Sequence, residues 1–589
     1  MWARVLPISV CACIILFPCI PLRSGTLFFS NDWLNHLWLI GYGAEAVRKH
    51  HFPPLVLTAS ELGGLPYPIF YGYLFYPILN VLAAVVGLRT AVRLAVVGVL
   101  ALQYALVHRA ARSGGASNLL ATATAALVTW AIYPLTNLYH RGALTEFFAG
   151  AFLTCAVCRW FSFLDADTPR RRLRAALEVG LLYSLAAGTH PITALYGLCF
   201  LIGLSLTIFI RLGMSIHRPI RGRLCALVPA AGLTTLLLAP WAYVCVEFNG
   251  KLSVQNGKVW LFENDIDCWW VRLFPFPLDV RVWRNPPGLV ETPYLDAQVN
   301  MPLAILAAVV IWGTIRVQRK AGLWLALAIG LGVMSLWLSL RLEPYDVLPG
   351  VFRVVQFSYR MVTYVNLALL VAVLLALRVV PSHPHMAGWL SPRVWTAILA
   401  CVVTLSAVGL LMKLTTIRAE IPAQRFDYRR FTIYFYGWAT YATPGQYSAL
   451  RADEEANLKL VPLKVAADDP HQYAPTEVLA AQREYIATQV QAFPWNHFYL
   501  NGERVPDTEL RVWQGRRSDL PGTDWSRGPY LAVPIPAGAS TLEYRFEPDP
   551  VWHALYRVSF VILLLGLGIV GFLHLRCVSR PPIEKLPAQ

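Results

Sequence analysis

Apolar runs long enough to cross a bilayer recur along the whole chain, and they restrict its fold more than any other feature. The hydrocarbon core of a bilayer is about 30 Å thick, so a spanning helix needs about 20 mainly apolar residues. With 56% hydrophobic and only 14% charged residues, the chain is too apolar for a soluble globular protein. The sequence therefore predicts a polytopic α-helical membrane protein with about twelve transmembrane helices, at 4–22, 93–110, 117–135, 146–165, 175–189, 191–211, 223–245, 301–317, 322–340, 361–380, 394–413 and 552–575.

Clusters of Lys and Arg between the apolar windows predict the orientation of the chain, because such clusters favour the cytoplasmic side. A further apolar segment at 68–88, "PIFYGYLFYPILNVLAAVVGL", would break the alternation of these clusters if it spanned the membrane. We therefore interpret 68–88 as an interfacial or re-entrant helix, which its Pro and Tyr residues also favour. Both termini are then cytoplasmic, and the net charge of +16 reflects membrane orientation rather than binding to nucleic acid.

The loop before the last apolar window is polar enough to fold by itself. Its segment "FPWNHFYLNGERVP" contains Asn501 and Gly502, the residues of a tight hairpin turn. The segment "GPYLAVPIPAGASTLEYRFEPD" alternates around a Pro-Ala-Gly turn and predicts a second strand pair. The predicted domains are a transmembrane domain at 1–413, a small β-rich extracytoplasmic domain at 414–551, and a final transmembrane helix with a cytoplasmic tail at 552–589.

The cysteines and the first apolar run give two further expectations. Ten of the eleven cysteines lie in or beside apolar runs, so no disulfide framework is expected. Cys155 and Cys158 have the spacing of a redox or zinc pair, but they lie inside an apolar helix without a second pair nearby, so no metal site is predicted. The first run is not followed by a small-residue cleavage site, and we interpret it as an uncleaved helix.

The stretch "FFSNDWLNHLWLI" places Asp32 and His36 four residues apart, on one face if the segment is helical. A carboxylate beside an imidazole at the membrane edge suits a general base with a partner, or half of a metal site. The alternative is that the pair caps and hydrates an interfacial helix between Trp33 and Trp38.

A second candidate cluster lies in "YPLTNLYHRGALTEFF", which contains Tyr139, His140, Arg141 and Glu146. Arg141 falls in a short outer loop where the predicted topology otherwise avoids Arg, and a guanidinium binds phosphate through two parallel hydrogen bonds. A phosphate ligand would explain this exception. The alternative is a surface ion pair between Arg141 and Glu146.

Three other segments carry candidate residues. His190 lies in the turn "GTHPIT" between two apolar helices, where it could be an ordinary interfacial residue. Arg360 begins an apolar run in "VVQFSYRMVTYVNL", a costly position unless the side chain snorkels or pairs with an anion. Trp269 and Trp270 follow carboxylates in "FENDIDCWWVRLF", a composition that suits a sugar-binding lid or a solvated acidic loop. The motifs of ATP and dinucleotide binding are missing from the sequence, so ATP-driven chemistry is not expected.

Together, "NDWLNH", "GGLPYPIFYGYLFYP", "YPLTNLYHRGALTEFF", "THP" and "QFSYR" resemble motifs of the GT-C superfamily of membrane glycosyltransferases, over roughly residues 1–380. The chain is most similar to the bacterial multi-pass family labelled 6-pyruvoyl-tetrahydropterin synthase-related membrane protein. That label is misleading, since pterin synthases are soluble zinc enzymes. The resemblance implies an enzyme of the bacterial inner membrane that moves a sugar from a polyprenyl-phosphate donor, surrounded by membrane lipids, to a glycan, lipid or protein acceptor on the extracytoplasmic side.

The resemblance also implies roles for the candidate residues. Asp32 would deprotonate the acceptor and His36 would orient it, while Arg141 and Arg360 would bind the donor phosphate, with His190 lining the site. Substrate contacts would come from Tyr139, His140, Glu146, Trp269 and Trp270. No cofactor is implied, and dependence on a divalent metal stays open because Asn31 stands where the superfamily often has a second carboxylate. The competing functions are a transporter or flippase for lipid-linked saccharides and a non-catalytic assembly partner.

Overall fold

The computed structural model describes most of the chain. The described residues are 2–24, 31–59, 62–214, 220–252, 297–317, 322–340, 347–349, 358–379, 391–420, 442–456, 458–461, 463–464, 473–513 and 529–578, together with the single positions 273, 352 and 466. Trp269 and Trp270, the predicted sugar-binding lid, lie outside these residues.

Helices make up most of the described part, and each of the twelve predicted windows contains one. The main helices are α1 (Trp2–Leu16), α2 (Asn31–His50), α3 (Tyr67–Phe70), α4 (Phe75–Val86), α5 (Leu88–Ser113), α6 (Asn118–Thr129), α7 (Ile132–Leu135), α8 (Leu144–Asp165), α9 (Pro169–Thr189), α10 (Pro191–Met214), α11 (Ile220–Glu247), α12 (Met301–Val317), α13 (Gly322–Leu340), α14 (Val362–Val379), α15 (Pro392–Glu420), α16 (Ala452–Ala456) and α17 (Pro550–Val578). Tighter or wider turns extend three of them: 3-10 helices at Phe17–Arg23 and Ser358–Met361, and a π-helical turn at Thr136–His140.

Seven helical stretches of the described residues are long and apolar enough to cross a membrane: Leu88–Ser113, Asn118–His140, Leu144–Asp165, Gly222–Glu247, Ser358–Arg378, Arg393–Ile417 and Pro550–Phe572. Several large apolar side chains on these helices face outward, including Val246 at 78% exposure and Leu564 at 69%. Such surfaces are unfavourable in water but suit contact with lipid chains. The chain is therefore a predominantly helical, membrane-embedded protein.

The segment at 68–88 does not form one long helix. Gly72 and Gly87, with φ angles of 61° and 82°, separate α3, α4 and α5 from one another. Helix α4 has 12 residues, so it is about 18 Å long and too short to cross the bilayer alone. It packs against α2, which carries Asp32 and His36.

The β-rich domain contains two sheets. The first has strand order β1 (Leu57–Ala59), β2 (Leu62–Leu65), β6 (Glu484–Gln491), β10 (Tyr530–Ile535), β9 (Arg511–Trp513) and β3 (Ser448–Ala449), and β4 (Lys459–Leu460) also pairs with β6. The second has the order β5 (Thr476–Ala480), β11 (Gly538–Phe546), β7 (Asn496–Leu500) and β8 (Glu503–Arg504).

The first predicted hairpin is confirmed and the second is wrong. Asn501 and Gly502 have φ angles of 51° and 87° and join the paired strands β7 and β8. The segment around the Pro-Ala-Gly turn forms β10 and β11 as expected, but these strands belong to different sheets. Apolar residues of both strands, including Leu531 and Leu542, pack into one core between the sheets, so the turn crosses from one sheet to the other.

The first loop contributes to the same domain, which the predicted boundaries at 414–551 did not include. Strand β2 pairs with β6 in parallel, with Gly63 opposite Val490. The Asn496 side chain donates a hydrogen bond of 2.8 Å to the carbonyl oxygen of Gly64. Aromatic residues of the domain also pack against helix ends, as Phe493 does against Phe70. The β-rich domain is thus joined to one end of the helical bundle, which we call the domain end; the opposite end is the far end.

Candidate functional site

A buried carboxylate organises the charged residues at the domain end. Glu146 lies in the first turn of α8, where the helix dipole favours a negative charge, and only 3% of it is exposed. It accepts hydrogen bonds from Tyr133 Oη at 2.7 Å and from Asn137 Nδ2 at 3.1 Å. It also forms ion pairs with Arg141 Nη1 at 2.9 Å and with Arg360 Nε at 3.1 Å. One carboxylate therefore positions two guanidinium groups.

The local backbone explains why Arg141 turns inward. The π-helical turn Thr136–His140 ends directly before it, and the Arg141 backbone N–H bonds the Thr136 carbonyl at 2.9 Å. Its Nη1 atom also donates to Asn137 Oδ1 at 2.6 Å, and its guanidinium lies 5.0 Å from the centre of the Tyr359 ring. The pair with Glu146 is thus buried and supported by a network, unlike the surface pair considered from the sequence.

Asp32 lies beside this cluster but takes no part in its ion pairs. The neighbouring Trp33 is fully buried and donates its indole N–H to the Leu138 carbonyl at 2.6 Å, which docks the start of α2 onto the π-helical turn. Among the described residues, the Asp32 carboxyl has no hydrogen bond or ion pair. Burial raises its pKa from the usual 3.8 to about 6, although the nearby positive charges of Arg141 and Arg360 act to lower it. Asp32 therefore lies close enough to Arg141 and Arg360 for their charges to act on its carboxyl.

His36 lies one turn after Asp32 but bonds elsewhere. Its Nδ1 atom is 2.8 Å from Tyr76 Oη, and the two rings stack with centroids 6.1 Å apart. Burial lowers the His36 pKa to about 3, so the ring is neutral at physiological pH. In this structure His36 joins α2 to α4, and the expected contact with Asp32 is not seen among the described hydrogen bonds.

His190 ends α9 and faces the same region. The Thr193 backbone N–H donates to its Nδ1 atom at 3.2 Å, so Nδ1 is an acceptor and the neutral ring carries its proton on Nε2. Burial, together with the charges of Arg360 and Arg141, lowers the His190 pKa to about 3. Its ring meets the edge of Tyr71, with centroids 5.9 Å apart. Tyr71 belongs to the Pro/Tyr-rich segment, which the sequence did not link to the site.

Tyr139 and His140, two residues predicted to contact substrate, form hydrogen bonds with other elements of the fold. Tyr139 is fully buried and donates to the Pro18 carbonyl at 2.7 Å, which ties the 3-10 helix after α1 to the π-helical turn. His140 bonds through Nδ1 to the ammonium group of Lys413 on α15, a fully buried residue that sequence reasoning missed. A charged residue inside an apolar helix was the signal that could have found it.

A small cavity lies next to Glu146. It has a volume of about 50 Å³, and its mostly apolar lining includes the polar residues Gln103, Asn137, Asn300 and Asn366. A cavity of this size with several polar groups has room for ordered water. No group of three or more His, Cys, Asp or Glu residues that could hold a metal occurs in the part of the chain that the structure describes.

These features define the protein only broadly, as a membrane-embedded helical protein with a buried charged site beneath a β-rich domain. No protein-family model, curated protein or solved structure matches the chain. The site's own chemistry is therefore the basis for assigning a function.

Proposed function

We propose that the protein is a GT-C-type glycosyltransferase, which moves a sugar from a polyprenyl-phosphate donor to a glycan, lipid or protein acceptor. The observation that supports this most is the position of Asp32. Its carboxyl is unpaired within the described structure, has a pKa of about 6, and lies beside two guanidiniums that a third residue holds in place. A base with a pKa just below the working pH is suited to accepting a proton from a hydroxyl group.

The reaction makes one bond and breaks one. The acceptor oxygen bonds to the anomeric carbon of the sugar, while the bond from that carbon to the phosphate oxygen breaks. The hydroxyl proton passes to Asp32, and the electron pair of the broken bond remains on the lipid phosphate. Attack from the face opposite the phosphate inverts the anomeric configuration.

The arginine pair suits the leaving phosphate. Arg141 and Arg360 carry two positive charges against the single negative charge of Glu146, and within the described structure the remaining positive charge is offset only by the ionised base Asp32. These groups are buried and fixed before substrate arrives, so little reorganisation is needed as negative charge develops on the phosphate. His190 adds a further hydrogen-bond donor, its Nε2–H group, because its Nδ1 atom already accepts a hydrogen bond.

The proposal includes the topology. Seven helical stretches of the described residues are long and apolar enough to span. The proposal takes the helices of all twelve predicted windows as crossings and the short helix α4 as the segment that does not span. Both termini are then cytoplasmic, and the site and the β-rich domain lie on the extracytoplasmic side of a bacterial inner membrane. Single-cysteine labelling at the two ends of the bundle would test this arrangement.

The decisive experiment compares Asp32→Asn with Asp453→Asn, a matched change at an exposed aspartate of the β-rich domain. Membranes containing each variant receive synthetic polyprenyl phosphates carrying radiolabelled glucose, galactose, mannose or arabinose. We expect Asp32→Asn to lower transfer by at least about 100-fold, because it removes the general base. Asp453→Asn should match the unmodified protein.

Two outcomes would reject the enzyme. Full transfer by Asp32→Asn would remove the proposed base, and a donor that crosses the membrane without losing its sugar would indicate a flippase. Mass spectrometry of envelope glycans and lipid-linked sugars from cells with and without the protein would identify the natural donor, which should accumulate when the protein is absent.

A further inference from the structure

A long apolar groove lies on the membrane-facing surface, next to the candidate site but separate from it. It has a volume of about 1220 Å³ and runs between α1 with its 3-10 extension and the helices α5 and α6. Its lining begins at Ser9 on α1 and ends at Arg23 and Arg93. None of Asp32, Arg141, Glu146 and Arg360 lines it.

The groove is longer than one leaflet. From Ser9 to Arg23 the α-helical and 3-10 segments extend about 25 Å, from their rises per residue. Half of the hydrocarbon core is only about 15 Å thick. A chain that fills the groove must therefore pass the middle of the bilayer, which favours a long single chain over an ordinary phospholipid tail.

The rim at the domain end is positively charged. Arg23 is exposed, and Arg93 is held by hydrogen bonds from its Nε to the Leu22 carbonyl at 2.8 Å and from its Nη2 to the Ser24 carbonyl at 2.9 Å. No acidic residue occurs among the described residues that line the groove. An anionic headgroup, such as a phosphate, matches this rim.

The groove reaches the site through one layer of side chains. The 3-10 helix Phe17–Arg23 forms its wall and is bonded through the Pro18 carbonyl to Tyr139. Tyr139 belongs to the π-helical turn that ends at Arg141. This turn thus connects the groove wall with the arginine pair, and the two provide separate places for a phosphate.

We propose that the groove binds the lipid chain of the sugar acceptor, so that the acceptor is a saccharide carried on a long-chain lipid phosphate. A hydroxyl of that saccharide is the group that loses its proton to Asp32. This inference rests on the proposed function, in which the donor phosphate lies at Arg141 and Arg360. With both places filled, donor and acceptor approach Asp32 from the same leaflet.

Binding stoichiometry tests the groove without requiring turnover. A sugar-free polyprenyl phosphate is added to the purified protein, and bound molecules are counted by native mass spectrometry. We expect two bound molecules for the unmodified protein and one for Cys13→Trp, which fills the groove. Cys199→Trp is the matched control, since Cys199 is also an exposed cysteine on an apolar helix but lies outside the groove, and it should bind two.

Three results would overturn the inference: a single bound molecule in the unmodified protein, two in Cys13→Trp, or equal occupation of the groove by phosphatidylglycerol. Arg23→Gln provides a milder variant, because the side chain is exposed and its loss should not disturb folding. It should weaken the second binding event about fivefold.

A transfer assay identifies the acceptor class. When membranes receive the radiolabelled donor, the label should move to an extractable lipid larger than the donor, and Cys13→Trp should block this step while still binding the donor. Label in protein or in a water-soluble glycan would contradict the lipid acceptor. If no label leaves the donor in the unmodified protein, the proposed function fails instead, whatever the stoichiometry shows.

Discussion

The two ends of the helical bundle contain similar charged clusters. At the domain end, Glu146 holds Arg141 and Arg360; at the far end, Glu178 holds Arg159 and Arg174. Both clusters are largely buried, and both pair one carboxylate with two guanidiniums. A buried ion cluster alone therefore does not identify a functional site.

The difference lies in what surrounds each cluster. At the far end another described acid, Asp165, is bonded to Arg378 at 2.7 Å and to the Ser113 hydroxyl at 3.2 Å, and Asp167 pairs with Arg171 at 3.2 Å. The contacts of Asp165 connect α8, α5 and α14, so its charge serves to hold helices together. At the domain end, Asp32 remains unpaired in the described structure beside the cluster. The distinguishing feature is an acid left over after the arginines have been paired.

The largest effects are expected when the central carboxylate of each cluster is replaced. Glu146→Gln and Glu178→Gln each leave two guanidiniums without their counter-charge, so each should destabilise the fold by about 3–5 kcal/mol. Transfer per folded molecule should fall at least about 100-fold for Glu146→Gln only. Thermal unfolding in detergent and the donor assay measure the two quantities. Equal activity losses would show that the ends do not differ in function.

A second comparison keeps the charge and changes its geometry. Arg141→Lys removes the planar fork that a phosphate requires, so we expect about a 100-fold lower transfer rate, or about 2.7 kcal/mol in the barrier. Arg174→Lys makes the same change at the far end and should leave the rate within about twofold. Initial rates at saturating donor measure both. A normal rate for Arg141→Lys would place the phosphate elsewhere.

The domain end is also joined to the β-rich domain, and replacing Asn496 tests how much that connection contributes to stability. Its side chain bonds the carbonyls of Gly64 and Gln491 and accepts from Tyr544 Oη at 2.8 Å. Asn496→Ala should lower stability by about 2 kcal/mol, because buried partners lose their hydrogen bonds. Asn501→Ala in the exposed turn should cost less, about 1 kcal/mol. Denaturation curves would contradict this ranking if the order were reversed.

The smallest effect is a pH dependence that only the domain end should show. Because the Asp32 pKa is about 6, the ionised base is lost as pH falls, and transfer should drop about tenfold for each unit below 6. The folded-state pKa lies above the usual 3.8, so protonation favours the fold, and this contribution to stability grows as pH falls from about 6 toward 4. Asp165→Asn should leave the pH profile of the rate unchanged. A flat rate profile from pH 5 to 7 would remove Asp32 as the base.

Local sequence signals predicted the helices well, because long apolar runs have few alternatives in a membrane. They also singled out Asp32, Arg141 and Arg360 as candidates, since charged residues are conspicuous at the edges of such runs. The same signals could not predict which residue each side chain contacts. Tyr139 was predicted to contact substrate, but it bonds Pro18, and no local pattern marks a contact between residues that far apart.

The sheets show the same limit. The turn at Asn501 and Gly502 specifies its own conformation, so the hairpin was predictable. Strand β11 alternates between buried and more exposed residues over part of its length, but β10 is buried throughout, and the core that they share decides their partners. The strands at Leu57–Ala59 and Leu62–Leu65 pair with each other, but they join the sheet through β6, more than four hundred residues later.

The parallel pairing of β2 with β6 also has a consequence for biosynthesis. Gly63 of β2 leaves the ribosome long before Val490, the residue opposite it in β6. Until then the hairpin of the first loop has an open edge. A chain that stops short of Glu484 would contain most of its helices and still leave this edge unpaired, so the β-rich domain should close only when synthesis is almost complete.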